Sequence, residues 1–228
     1  DPEITILAEI KEEKARDWWQ AQLEAPTVVE RIRAVEHLVD EKTDANRETL
    51  ASVLANDPFW GVRVEAAKAL GRLAGNPGRE ALLAGLSQPN AKVRKACVDG
   101  LGSYKGNEQV ITALRKANKT GDESYKVEAA ILSALVRVMK EKPVDLLTAA
   151  LNKPSHREVI RTAALRGLAQ SDDPNHMQLL FQWTQRGRPR DCRLEAIRQL
   201  PNVINRTKPK AVVTDPIVDR FLAMFDEG

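Results

Sequence analysis

The chain has 228 residues, enough to bury a sizeable core, and its 35 basic and 32 acidic side chains leave a net charge of only +3. No run of roughly 18 apolar residues is present to cross a membrane. Two cysteines and three scattered histidines cannot supply a four-thiolate or His-Glu-x-x-His zinc site, and no Gly-x-Gly-x-x-Gly or Walker lysine loop occurs.

In chain order, residues 1–13 open on Asp1-Pro2-Glu3-Ile4, without an initiator methionine or a secretory core segment. They are expected to be the lead-in from a preceding domain that this chain lacks. From residue 14 a single register takes over. An amphipathic segment, Arg16 to Glu24, is followed by Glu30-Arg31-x-x-Ala34-Val35-x-x-Leu38. Arg47 to Asn56 then precedes Val62-Arg63-x-x-Ala66-Ala67-x-x-Leu70-Gly71, and Arg79 to Ser87 precedes Val93-Arg94-x-x-Cys97-Val98-x-x-Leu101-Gly102. The same pairing recurs as Gln109 to Asn118 with Tyr125-Lys126-x-x-Ala129-Ala130, and as Val144 to Asn152 with Ile160-Arg161-x-x-Ala164-Leu165-x-x-Leu168. The last pair is Met177 to Arg186 with Cys192-Arg193-x-x-Ala196-Ile197-x-x-Leu200.

The basic markers fall at 31, 63, 94, 126, 161 and 193, at intervals of 32, 31, 32, 35 and 32 residues. A period in this range is the signature of a repeat architecture. Within a copy, Val62, Ala66, Leu70 and Leu73 fall on one stripe of an α-helix. Each repeat therefore reads as a helical hairpin.

Turn residues separate the two helices: Asp57-Pro58, Pro89-Asn90, Gly121-Asp122, Pro154-Ser155 and Pro189-Arg190-Asp191. Asp57 is placed to accept from free N–H groups of the next helix, and Pro58 suits its first position. The small column Ala34, Ala66, Cys97, Ala129, Ala164 and Ala196 lets neighbouring helices approach to about 8–10 Å. The fold class expected is all-α, an α-α superhelix of the HEAT/ARM-like solenoid kind, with about six hairpins in one domain over residues 14–228. An irregular stretch from Pro201 to Asp215 and a docked capping helix from Ile217 to Phe225 should close it.

Cys97 and Cys192 lie three repeats apart, too far for a disulfide, and occupy packing slots. Free thiols favour a cytoplasmic setting. Residues 1–114 carry 15 basic and 18 acidic side chains, against 20 and 14 in residues 115–228. The densest basic run, Arg186-Gly187-Arg188-Pro189-Arg190 with Arg193, holds no aromatic ring to stack on bases, which argues against a nucleic acid partner.

The basic column Arg31, Arg63, Arg94, Lys126, Arg161 and Arg193 has two readings. It could form a ladder on a concave surface for an acidic peptide, or it could tie repeats together, with guanidinium groups capping carbonyls or pairing with an aspartate of an adjacent turn. Phe59 and Trp60, bulky rings at a helix entry, are expected to fill the gap between hairpins.

The string Asp57-Pro58-Phe59-Trp60-Gly61-Val62-Arg63, preceded by Asp17-Trp18-Trp19-Gln20-Ala21-Gln22-Leu23 and Val29-Glu30-Arg31-Ile32-Arg33-Ala34, resembles the C-terminal helical region of zinc aminopeptidases of the aminopeptidase N type. The resemblance is specific over about residues 14 to 75. It implies a parent enzyme whose zinc domain lies outside this chain, with this domain closing over it and limiting peptide access. It carries no catalytic residue, metal ligand or cofactor into this sequence. The partners implied are the parent's catalytic domain and a peptide. Two other readings stand beside it: a non-catalytic HEAT-repeat interaction scaffold, free-standing or a degenerate family member, and a DNA-binding helical-repeat protein resembling alkylpurine glycosylases.

Overall fold

The structure is a computed structural model that describes residues 14–15, 17–171 and 174–207. The lead-in of residues 1–13, the Asp172-Asp173 pair and the expected capping helix Ile217 to Phe225 lie outside the described residues. The chain divides into two compact units, Asp1–Lys140 and Glu141–Gly228.

In the first unit, helical residues 17–22 precede α1 (Val28–His37), α2 (Asp44–Asn56), α3 (Trp60–Leu73), α4 (Asn76–Ala84), α5 (Ala91–Leu101), α6 (Glu108–Thr120) and α7 (Tyr125–Val138). A 3-10 helix, Gly85–Ser87, extends α4. The second unit holds α8 (Val144–Ala150), a 3-10 helix at His156–Glu158, α9 (Val159–Leu168), α10 (Pro174–Thr184) and α11 (Arg190–Thr207).

Polar residues between the periodic segments set these boundaries. The side chains of Thr27, Thr43, Asn90 and Asn107 each accept a backbone N–H of the first turn that follows, which satisfies donors that the helix itself leaves open. Asp57 does the same one step earlier: Phe59 N–H donates to its Oδ1 at 2.8 Å, and α3 begins only at Trp60. Pro58 thus sits in the turn and not at the first helical position.

Packing follows the hairpin pattern. In the first unit α2 packs on α3, α4 on α5 and α6 on α7, while the second helices stack directly as α1 on α3, α3 on α5 and α5 on α7. In the second unit α8 packs on α9, α10 on α11, and α9 on α11. The stripe Val62, Ala66, Leu70 and Leu73 is buried, as are Ala34, Cys97, Ala164 and Ala196. Helices α3 and α5 meet backbone to backbone: a Cβ placed on Gly71 would lie 2.7 Å from the Gly100 Cα. A Cβ there forces the two backbones apart.

Two sequence expectations need correction. In the fourth repeat the buried stripe equivalent to Val62, Ala66 and Leu70 is Val127, Ile131 and Leu135, so the register lies two residues beyond the Tyr125-Lys126-x-x-Ala129 alignment. Ala129 is half-buried, and Ile131 takes the slot held elsewhere by a small residue. The irregular stretch expected from Pro201 is helical as far as it is described: residues 208–215 lie outside the described residues, and Pro201 lies inside α11. Its ring removes one helical hydrogen bond, and it sits on the exposed side of a helix anchored by buried Leu200 and Val203 on either side.

Candidate interaction surface

The fourth residue of α1, α3, α5 and α11 is basic: Arg31, Arg63, Arg94 and Arg193. Arg31 donates from Nε to Asp57 Oδ2 at 2.8 Å and from Nη1 to the Ala25 carbonyl at 2.9 Å. Arg94 repeats this with Asp122, both bonds at 2.8 Å, and with the Gln88 and Pro89 carbonyls. Each aspartate also accepts the N–H two residues ahead, Phe59 in one case and Ser124 in the other. One carboxylate thus ends a turn and ties it to the preceding repeat.

Between these two rungs the position is filled by an amide. Arg63 donates to Gln88 Oε1 at 2.9 Å, and Gln88 Nε2 donates to the Leu54 carbonyl. The fourth residue of α7 is Glu128, which accepts Asp122 N–H, whereas Lys126 is exposed. Arg161 donates to the Leu151 carbonyl and to Glu158, and lies 5.8 Å from the Trp183 ring, which Arg188 covers at 4.5 Å. Arg193 is half-buried, and its Nε has no hydrogen-bond partner among the described residues. The guanidinium groups of Arg31, Arg63, Arg94 and Arg161 are therefore committed to the protein's own turns.

Hydrogen bonds from Arg94 hold the Asp122 carboxyl below the usual carboxylate range, against the opposing effect of burial. A folded-state pKa below the unfolded value contributes stability that is present above the unfolded pKa, about 3.9, and is lost as pH falls through the folded value. Urea midpoints should fall on acidification below about pH 4, and Asp122→Asn should flatten that dependence. An unchanged pH profile would show that the Arg94 pair does not form. In the second unit, burial pushes Glu195 up, but bonds from Arg166 and Gln199 outweigh it and leave its pKa below normal.

Burial pushes the Cys97 thiol up to about 12 and that of Cys192 to about 11. Both remain protonated near neutral pH and behave as small apolar residues. Among the described residues no group of three or more His, Cys, Asp or Glu is placed to hold a metal ion. None of the described helices is long and apolar enough to cross a membrane.

With Arg31, Arg63 and Arg94 committed to internal turns, the outward positions of the stacked helices form the available surface. They are Val29, Arg33 and Glu36 on α1, Glu65, Lys68 and Arg72 on α3, Lys92, Lys95 and Asp99 on α5, and Lys126, Ser133 and Arg137 on α7. Arg137 reaches back to α5, donating to the Asp99 carbonyl at 3.3 Å, and Lys95 pairs with the Asp99 carboxylate at 2.6 Å. Helices α3, α5 and α7 carry eight basic side chains against three acidic ones, whereas α2, α4 and α6 carry five against four. The excess of positive charge belongs to α3, α5 and α7, since α1 carries two side chains of each sign.

Phe59 and Trp60 are not core residues. Phe59 is 37% exposed and Trp60 half-buried, with ring centroids 5.2 Å apart and Lys92 Nζ 4.0 Å over the indole. Gly61 makes room for this: a Cβ there would clash with the Phe59 ring edge, so the ring occupies the place of the missing side chain. Val29 and Tyr125 are the other exposed large apolar residues at the entries of these helices. The sequence signal for this was available in the turn preceding Phe59, which puts the ring outside the helical stripe.

A family model described as HEAT repeats matches residues 47–123, 79–169 and 119–201. No curated protein matches the sequence. Among solved structures, the chain is similar to the CpcE–CpcF complex of phycocyanin lyase from Nostoc sp. PCC7120, at 22% identity and a TM-score of 0.59, over 82% of this chain and 76% of that one. It is also similar to human deoxyhypusine hydroxylase, at 16% identity and a TM-score of 0.51, over 97% and 99% of the two chains. A designed armadillo repeat protein in complex with a (KR)4 peptide matches at 18% identity and a TM-score of 0.50, over 82% and 98%. These likenesses place the fold among HEAT/ARM-like α-solenoids.

They also overturn the resemblance to zinc aminopeptidases, and with it the metallopeptidase assignment. The match is to the repeat itself and runs well past residue 75. The Asp57 to Arg63 string that carried the resemblance is repeat grammar, since Asp57 holds Arg31 just as Asp122 holds Arg94 two repeats later.

Proposed function

This chain belongs to the HEAT-repeat family, and we propose that it works as a protein-interaction scaffold that holds an acidic partner on the outward face of α3, α5 and α7. The observation that carries this reading is the charge of the outward positions: with Arg63, Arg94 and Glu128 turned to internal contacts, α3, α5 and α7 present six basic side chains, Lys68, Arg72, Lys92, Lys95, Lys126 and Arg137, against Glu65 and Asp99, whereas α2, α4 and α6 carry five basic against four acidic. A same-sign face attracts its complement and sets orientation and on-rate more than final affinity.

Internal bonds support the reading by fixing the platform. Side chains from consecutive repeats hold their neighbours through the Arg31–Asp57, Arg63–Gln88 and Arg94–Asp122 contacts, so the face needs little ordering when a partner arrives. The phycocyanin lyase structure is of a complex between two proteins, and the designed armadillo repeat protein holds a basic peptide. Here the charge of the face calls for the opposite sign in the partner.

The test is fluorescence anisotropy of the full chain with a labelled glutamate-rich peptide. Binding should weaken at least tenfold in the triple variant K68E/R72E/K95E and fall with added salt. Equal loss from charge reversal on α6, at Arg115, Lys116 and Lys119, would remove the reason for choosing the second-helix face.

A further inference from the structure

Three of the five exposed large apolar residues of the described chain, Val29, Phe59 and Tyr125, lie at the entries of second helices in the first unit. Val29, Gly61, Lys92 and Lys126 are each the second residue of α1, α3, α5 and α7 or its register equivalent, and the Phe59 ring covers the Gly61 position. Because α1 packs on α3, α3 on α5 and α5 on α7, these positions form one strip along the helix entries. In order it reads apolar, aromatic pair, lysine on indole, then tyrosine beside lysine.

We infer that this strip seats an acidic segment of a partner protein in the polyproline II conformation, whose large apolar side chains recur at every third residue. The inference rests on the proposed function and specifies its partner. Stacked helices lie about 8–10 Å apart, and a polyproline II chain turns once in three residues and advances about 3.1 Å per residue, so every third side chain returns to the same face about one repeat further on. At that period the first, second and fourth apolar side chains meet Val29, Phe59 and Tyr125, the third packs along the Lys92 stem, and the carboxylates flanking the third and fourth meet the Lys92 and Lys126 ammonium groups. Exposed aromatic rings held in place before binding are the residues that most often dominate binding energy. Phe59 is held in this way, with its ring resting where Gly61 has no side chain and against Trp60.

A nucleic acid is the weaker occupant, because the strip's rings, Phe59 with Trp60 and then Tyr125, are separated by the Lys92 rung and form no unbroken stacking platform.

The experiment measures anisotropy of the full chain with three labelled peptides of equal length and charge. One has leucine at every third position with glutamate beside each, the second has the same composition with leucine at every second position, and the third replaces leucine by glycine. The first peptide should bind at least tenfold more tightly than the other two. The double variant F59A/Y125A, whose side chains are exposed, should lose that advantage with an unchanged melting curve. Gly61→Ala, which keeps the ring but pushes it aside, should lose part of it. If the three peptides bind alike and only K68E/R72E/K95E weakens them, the strip inference fails and the basic face stands. If no acidic peptide binds, or a DNA duplex binds and the peptides do not, both readings fail.

Discussion

Asp57→Ala is expected to lower the stability of the chain by about 3–5 kcal/mol, the typical cost of removing one partner from a buried ion pair. The side chains of Arg31 and Asp57 are only 10% and 5% exposed, so the guanidinium left behind cannot rehydrate. It would keep the Ala25 and Pro26 carbonyls but lose both carboxylate contacts, and the Phe59 N–H would lose its acceptor. For a chain of this size the melting midpoint should drop by roughly 6–20 °C. Replacing both residues with apolar ones of similar volume should cost far less, because no uncompensated charge remains. A single-variant loss below about 1 kcal/mol would place the pair in solvent, where such bonds are weak.

The second large effect is expected at Gly71. An alanine in a helix interior is ordinarily favoured over glycine by about 1 kcal/mol. Here the added Cβ would meet the Gly100 Cα at 2.7 Å, and because that atom is backbone, α3 and α5 must move apart. Overpacking of this kind costs about 1–3 kcal/mol, so Gly71→Ala should be neutral to destabilising and Gly71→Val should cost about 3 kcal/mol. Thermal melts decide the sign. A rise in midpoint for Gly71→Ala would mean that the two helices are not in backbone contact.

Most of the helical organisation was legible in the sequence because each hairpin writes its apolar stripe and its polar turn locally. Arg47 to Asn56 is found within α2, and Val144 to Asn152 begins where α8 does. The slip in the fourth repeat has a physical origin. Lys126-x-x-Ala129-Ala130 mimics the repeat motif, but the Gly121 to Ser124 turn delays the helix, and burial selects the Val127, Ile131, Leu135 stripe instead. Pro201 was misleading for a related reason: tertiary anchoring by Leu200 and Val203 overrides the local penalty.

The candidate surface was less legible. Which way the basic column pointed depended on partners 25 to 28 residues away, and nothing local to Arg63 reveals that an amide at Gln88 stands in for an aspartate. Phe59 and Trp60 look like core because aromatic residues are usually buried. Their exposure follows from Asp57 delaying the helix start and from Gly61 offering a bed for the ring.

The most direct measurement is amide chemical-shift mapping of the full chain during titration with the glutamate-rich peptide that binds most tightly. The account predicts that the largest perturbations fall on α3, α5 and α7, and that Gly61, Lys92 and Lys126 are among them. Perturbations concentrated on α2, α4 and α6 would contradict it.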